Sequence, residues 1–145
     1  MGPEWSPAGT KLLAYSLLGE DTGGFFVMNA NGTDLVNFNT EPGSEEYINL
    51  RANHTWSPDG GRVAFQRRSA GNLEIVVATA DGGSVLDVTN CPGEDLFLDW
   101  SPDGTRILLA SDRNGAFELY IVNADGSGLV RLTDSLRSED GREAI

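Results

Sequence analysis

The pentapeptide Trp100-Ser101-Pro102-Asp103-Gly104 recurs as Trp56-Ser57-Pro58-Asp59-Gly60 and, with one change, as Trp5-Ser6-Pro7-Ala8-Gly9. The copies stand 51 and 44 residues apart. A motif returning at about 40–50 residues marks a repeat whose units stack to share a core. Each copy opens a stretch with the same parts. An apolar run follows the turn, at Leu12–Tyr15, Val63–Phe65 and Ile107–Ala110. These runs scarcely alternate, as expected of strands covered on both faces. Beyond a Gly-bearing turn lies a second run, Phe25–Met28, Leu73–Val77 and Phe117–Val122. It ends at Asn29-Ala30-Asn31-Gly32, Thr79-Ala80-Asp81-Gly82 and Asn123-Ala124-Asp125-Gly126, where Asn-Gly and Asp-Gly pairs supply the positive φ of tight hairpins. A short outer strand follows each hairpin, at 35–38, 85–88 and 129–132, with one polar residue expected to face water.

The innermost strand of each unit runs into its Trp, from Leu50 to Trp56 and from Leu96 to Trp100; Met1 to Glu4 is too short for one. The pattern predicts an all-β chain of three four-stranded meanders with boundaries near 1–39, 50–89 and 96–133, in one domain over 1–145. The 12 residues from Thr133 to Ile145 and the five leading to Trp5 together match the 17 from Asn39 to Trp56. The 134–145 tail is therefore expected to supply the missing innermost strand to the first unit of a second copy; the alternative is a solvated end.

Composition narrows the function classes. The 22 acidic and 10 basic side chains leave a formal charge of −12, which argues against a nucleic-acid surface, since that affinity is carried by clustered Lys and Arg. No apolar run reaches the ~18–20 residues of a membrane span, and the first residues do not resemble a signal peptide. A single cysteine, Cys91, precludes an internal disulfide.

Taken together, the Trp-Ser-Pro-Asp-Gly turn, the apolar strand, Ser111-Asp112-Arg113-Asn114-Gly115, Glu118-Leu119-Tyr120-Ile121-Val122-Asn123-Ala124-Asp125-Gly126 and Arg131-Leu132-Thr133 resemble the TolB-type, WD-like β-propeller repeat. Residues 100–133 follow it nearly throughout. Residues 56–89 carry Gln66-Arg67-Arg68-Ser69 in place of the Ser-Asp-Arg run, and residues 5–39 depart further, with Ala8 and with Phe38-Asn39 for Leu-Thr. The resemblance implies a β-propeller with three blades in this chain. Closed propellers have four to eight blades, so the expectation is a head-to-tail homodimer closing a six-bladed ring. A periplasmic or extracytoplasmic location is implied by the same resemblance.

Most motif residues read as structural. Trp5, Trp56 and Trp100 recur at one blade position and are assigned to packing between blades, Asp59 and Asp103 to Asx turns, Gly60 and Gly104 to closing those turns. His54 is the single histidine and lies two residues before Trp56, on the same strand face. Cys91 sits in the turn Asn90-Cys91-Pro92-Gly93 with no base beside it in sequence. There is no nucleophile elbow. Carboxylates ahead of the innermost strands, Glu45-Glu46, Glu94-Asp95, Asp99 and Glu139-Asp140, would crowd one mouth of a ring. Glu94, Asp95 and Asp99 are candidate ligands there for Ca²⁺ or Mg²⁺, against a reading as a solvated acidic rim. Nothing in the motifs requires a cofactor. The expected function is a non-catalytic scaffold for protein or peptide binding that assembles with itself. The alternative is the gating propeller of a larger hydrolase without independent activity, and a third reading is a fragment with no task of its own.

Overall fold

The computed structural model describes residues 2–17, 23–38 and 53–134. Among these residues there are twelve strands and no helix, hence none long and apolar enough to cross a membrane. The strands form three four-stranded antiparallel sheets, each a meander in chain order. Blade 1 holds β1 (Glu4–Trp5), β2 (Lys11–Leu17), β3 (Gly23–Asn29) and β4 (Val36–Asn37). Blade 2 holds β5 (His54–Trp56), β6 (Arg62–Ser69), β7 (Asn72–Thr79) and β8 (Val85–Asp87). Blade 3 holds β9 (Asp95–Trp100), β10 (Arg106–Ser111), β11 (Glu118–Asn123) and β12 (Val130–Arg131).

The first unit does possess an innermost strand, contrary to the expectation from its length. Two residues suffice because β2 supplies a ready ladder, pairing Leu13 with Glu4 and Leu12 with Trp5. The outermost strands also differ from expectation. All three residues of β8 and both of β12 are exposed, apolar Val85, Leu86 and Val130 included, since an edge strand has a neighbour on one side only. The third unit's innermost strand begins one residue early, at Asp95, and carries a register shift opposite Leu108 and Leu109. Residues 50–52, Asn39, Glu45-Glu46 and 135–145 lie outside the described residues.

The signature turns form by local chemistry. Ser57 Oγ donates to Asp59 Oδ1 at 2.6 Å, the same oxygen accepts the Gly61 N–H at 2.9 Å, and Gly60 closes the turn with φ 71°. Ser101, Asp103 and Gly104 repeat this arrangement. The copy with Ala8 still turns because Ser6 Oγ accepts the Lys11 N–H at 3.0 Å and Gly9 takes the left-handed backbone. Gly60 and Gly104 have a second duty. A Cβ there would stand 3.3 Å from Pro7 Cδ and 3.5 Å from Pro58 Cδ, so each signature packs on the signature of the blade before it.

Burial separates blade 2 from blade 3, while blade 1 buries Phe25, Phe26 and Val27 in succession. In β6 and β7 consecutive residues are buried, whereas β10 and β11 alternate between buried and open positions. Period-2 side chains dictate this: blade 2 lies between two other sheets and is covered on both faces, and blade 3, with no described blade beyond it, on one. Two apolar seams result. The first joins Leu13, Phe25 and Val27 of blade 1 to Trp56, Val63 and Phe65 of blade 2, with the Phe25 and Phe65 rings 4.7 Å apart. The second joins Ala64, Ile75 and Val77 of blade 2 to Trp100, Ile107 and Leu109 of blade 3. Trp56 and Trp100 are 5% and 6% exposed, as packing residues should be, but Trp5 is 59% exposed because no described blade precedes it.

Candidate functional site

Two polar regions lie at opposite ends of these seams. At one rim, where β6 turns into β7 and the chain passes from blade 2 to blade 3, side chains converge from four elements. Asp95, fully buried, opens β9 and accepts from Arg113 Nη2 at 2.8 Å; the Cys91 thiol lies 3.3 Å from its other oxygen. Burial pushes the Cys91 thiol up, so it is held as the neutral S–H and not as a nucleophilic thiolate. Glu74, at the start of β7 and also buried, accepts from Thr89 Oγ1 at 2.7 Å and from the Cys91 N–H at 3.4 Å. Burial raises its carboxyl above the usual range, and the Asp95 charge adds to the effect. Thr89 Oγ1 in turn accepts the Ile75 N–H at 2.9 Å. Blade 3 repeats the device: Thr133 accepts the Leu119 N–H at 2.9 Å and donates to Glu118. Beside the cluster, Ser69, Asn72, Glu74, Asn90 and Cys91 line an open recess of about 270 Å³.

Beside the innermost strands, at the edge that would face the channel of a closed ring, a second recess of about 440 Å³ is lined by Glu4, Asn53, His54, Thr55, Phe97 and Asp99, with Gly2 and Pro3. The residue preceding each Trp points here. Thr55 Oγ1 donates to Glu4 Oε1 at 2.7 Å and the Trp56 indole N–H to the Glu4 carbonyl at 3.2 Å. His54 is buried with its ring 5.2 Å from Phe25, a packed position in the first seam.

The three candidate cation ligands do not converge. Asp95 faces Arg113. The Glu94 carboxylate accepts the Leu73 N–H at 3.0 Å and lies 3.5 Å from Arg68. Asp99 is exposed on the channel side and accepts its neighbour's Trp100 N–H at 2.8 Å. Among the described residues no group of three or more His, Cys, Asp or Glu is arranged to hold a metal ion; Glu139-Asp140 lie outside them. The turn aspartates are engaged as expected. The Ser101 hydroxyl, with the Thr105 N–H and hydroxyl, holds the Asp103 carboxyl down to about 2, and the Ser57 hydroxyl lowers Asp59.

Sequence reasoning did not single out Glu74, Thr89, Glu118, Thr133 or Arg113 as partners. A signal for the Glu–Thr pairs was present, since both complete units place Thr 15 residues after Glu.

The family of blades is settled by comparison with known proteins. PD40, the TolB beta propeller domain, matches residues 1–141. The chain belongs to that family. The structure is similar to that of TolB from Agrobacterium tumefaciens, with 24% identity, a TM-score of 0.71, and coverage of 92% of this chain and 46% of that one. TolB from Acinetobacter baumannii gives 24%, 0.68, 92% and 32% in the same order. Prolyl oligopeptidase B from Galerina marginata gives 18%, 0.60, 90% and 21%. The chain thus spans less than half the length of each. No curated protein matches it in sequence.

Proposed function

We propose that these blades form a non-catalytic propeller scaffold that binds a protein or peptide along its rim loops and assembles head to tail with a second copy. The observation that carries this reading is the engagement of the reactive groups of the rim. Asp95 is bound to Arg113, Glu94 to Arg68 and the Leu73 N–H, Glu74 to Thr89, and the Cys91 thiol lies against Asp95. Such groups build a rigid frame, and what the frame presents outward is a recess bordered by Asn72, Asn90 and Ser69, donors and acceptors suited to a peptide backbone. A periplasmic or other extracytoplasmic setting goes with the TolB resemblance.

A second reading is supported by the likeness to a prolyl oligopeptidase: these blades form the propeller of a larger hydrolase and have no activity of their own. Both readings make the isolated chain inert, and they differ in the ligand. The test is selection from a displayed peptide library, followed by amide chemical-shift mapping. A scaffold gives shifts confined to residues 69–74, 90–95 and 111–116. Absence of any binder, or shifts scattered over the blades, removes the scaffold reading. Labelling by a fluorophosphonate probe for hydrolytic serines removes the non-catalytic one.

A further inference from the structure

Three carboxylates are buried among the described residues, those of Glu74, Asp95 and Glu118. Arginine holds two of them: Arg113 Nη2 lies 2.8 Å from Asp95, and Arg131 Nη2 lies 3.2 Å from Glu118. Among the described residues no Lys or Arg pairs with Glu74, which bonds to Thr89 and the Cys91 N–H and faces the Asp95 carboxyl. The arginines on the adjacent strand are turned to other carboxylates, Arg67 to Asp87 and Arg68 to Glu94. Comparison of the two blades shows what is missing. Val76 of β7 pairs with Asp87 as Tyr120 of β11 pairs with Arg131, so Asp87 stands where blade 3 has its arginine. Five residues before the glutamate, blade 2 has Ser69 where blade 3 has Arg113. After the threonine, Asn90 stands where blade 3 has Asp134, the second acceptor of Arg131 at 2.9 Å. Ser69, Glu74 and Asn90 all border the open rim recess of about 270 Å³.

Resting on the reading of the rim as a peptide surface, we propose that this recess takes the guanidinium of an arginine side chain on a partner peptide, with Glu74 as its carboxylate and Asn90 as a second acceptor. Blade 3 supplies the template, in which one arginine bridges the buried glutamate and the side chain after the threonine. In blade 2 the carboxylate and the acceptor remain, the arginine is gone, and an opening to solvent stands beside them. A buried carboxylate without a cation is costly unless it takes up a proton, and burial does raise the Glu74 carboxyl. A seated guanidinium takes the place of that proton, as Arg131 does for Glu118. Arginine suits the recess better than lysine because its planar fork reaches two acceptors at once. The formal charge of −12 draws a cationic segment toward the surface.

The experiment is an amide chemical-shift titration of the whole chain with acetylated and amidated pentapeptides, two alanines on either side of arginine, lysine or citrulline. Citrulline keeps the shape of arginine and loses the charge. At millimolar concentration the arginine peptide is expected to shift residues 69–74 and 90–92 and to bind about tenfold tighter than the citrulline peptide, with lysine between them. Glu74→Gln, which keeps an acceptor for Thr89, is expected to weaken the arginine peptide about tenfold. Asp81→Asn makes the same charge change in an exposed hairpin and is expected to weaken it less than about twofold. Asp87→Arg, at an exposed position, rebuilds the blade 3 arrangement. It is expected to abolish the shifts and to bring the Glu74 carboxyl down, followed by its side-chain carbon resonance. Equal binding of the arginine and citrulline peptides, or of wild type and Glu74→Gln, overturns the guanidinium site and leaves the rim as a peptide surface. Lysine bound as tightly as arginine overturns the choice of guanidinium. An equal loss in Asp81→Asn and Glu74→Gln reduces the contact to long-range attraction and overturns it too. No shift at these residues with any of the three peptides overturns the proposal, while the rim reading stands or falls separately with the displayed library.

Discussion

Replacing Thr89 by Val keeps the shape of the side chain and deletes one oxygen. That oxygen has two partners: it accepts the Ile75 N–H at 2.9 Å and donates to Glu74 at 2.7 Å, and Thr89 and Glu74 are each 4% exposed. Water cannot take over either bond without opening the seam. A buried N–H left without an acceptor costs about 1–3 kcal/mol, and a hydrogen bond to a charged group is worth about 1.5–3 kcal/mol. Glu74 keeps the longer contact to the Cys91 N–H, at 3.4 Å, and its contact with the Asp95 carboxyl. Thr89→Val should therefore destabilise by about 3–5 kcal/mol, a large share of the ~5–15 kcal/mol typical of a domain. In thermal terms that is a fall of roughly 6–20 °C at this chain length. Urea unfolding with an unchanged slope is the assay. Adding Glu74→Leu removes the stranded carboxylate, so the double variant should be less destabilised than the two single effects added, by about 1–3 kcal/mol. A loss below about 1 kcal/mol, or additivity within about 0.5 kcal/mol, would refute the account of Thr89 as the link between the ladder and the carboxylate.

Other outcomes follow from the same geometry. Ile75→Ala should cost about 2–5 kcal/mol and Leu119→Ala, at the matching but open position, under about 1 kcal/mol in the monomer; equal losses in urea titrations at low protein concentration would contradict the open face. Because burial raises the Glu74 carboxyl, its folded form holds the proton more tightly than the unfolded chain does. Its contribution is therefore fully present below the unfolded value near 4.5 and is lost as pH rises through the raised one. Glu74→Gln should accordingly gain on the wild type as pH rises from about 4.5 through that raised value, and a pH-independent difference in unfolding free energy would count against it. Gly93→Ala should lose about 1–3 kcal/mol by thermal melts, since a Cβ there would meet the Arg113 backbone at 2.8 Å; an unchanged melting temperature would show that the 90–94 linker can move aside.

What the sequence discloses here is what adjacent residues settle among themselves. The Ser-Pro-Asp-Gly turns close through bonds spanning two to five residues, so the motif and its geometry are one fact. Partners across a seam are another matter. Arg113 and Asp95 are 18 residues apart, and the Ser111-Asp112-Arg113 motif does not name the partner until β9 and β10 are paired. Cys91, without a base beside it in the turn, finds a carboxylate four residues on because the chain folds back into β9. Trp5 and Trp56 open nearly identical phrases and end in opposite environments, since exposure belongs to the neighbouring blade and not to the motif. The candidate cation ligands fail to meet for a related reason: Asp95 and Asp99 share a strand, but one end of it lies in the rim seam and the other at the channel.

The two internal seams share an apolar middle but hold their indoles differently. Across the second seam Gln66 donates to the Asp95 carbonyl, Asn53 to the Phe97 carbonyl at 3.0 Å and Arg62 to the Gly104 carbonyl, while Arg113 and Glu74 gather about the Asp95 side chain. Its channel end carries the Trp100 indole N–H, buried with no acceptor, under the Arg62 guanidinium at 5.1 Å. In the first seam the channel end is the closed one, with Thr55 and the Trp56 indole both bound to Glu4, and the complete Glu–Thr device of blades 2 and 3 is missing from blade 1, where Gly24 and Asn39 hold those sequence positions. Local opening starts where fewest bonds must break, so the bonded Trp56 indole should open less often than the Trp100 indole, which has no acceptor. Hydrogen exchange followed by NMR should find the Trp56 indole N–H protected and the Trp100 indole N–H exchanging at least about tenfold faster, the equivalent of one hydrogen bond of about 1.4 kcal/mol. Equal rates would mean that the seams open as one unit and that the Trp56 bond to the Glu4 carbonyl does not set the order.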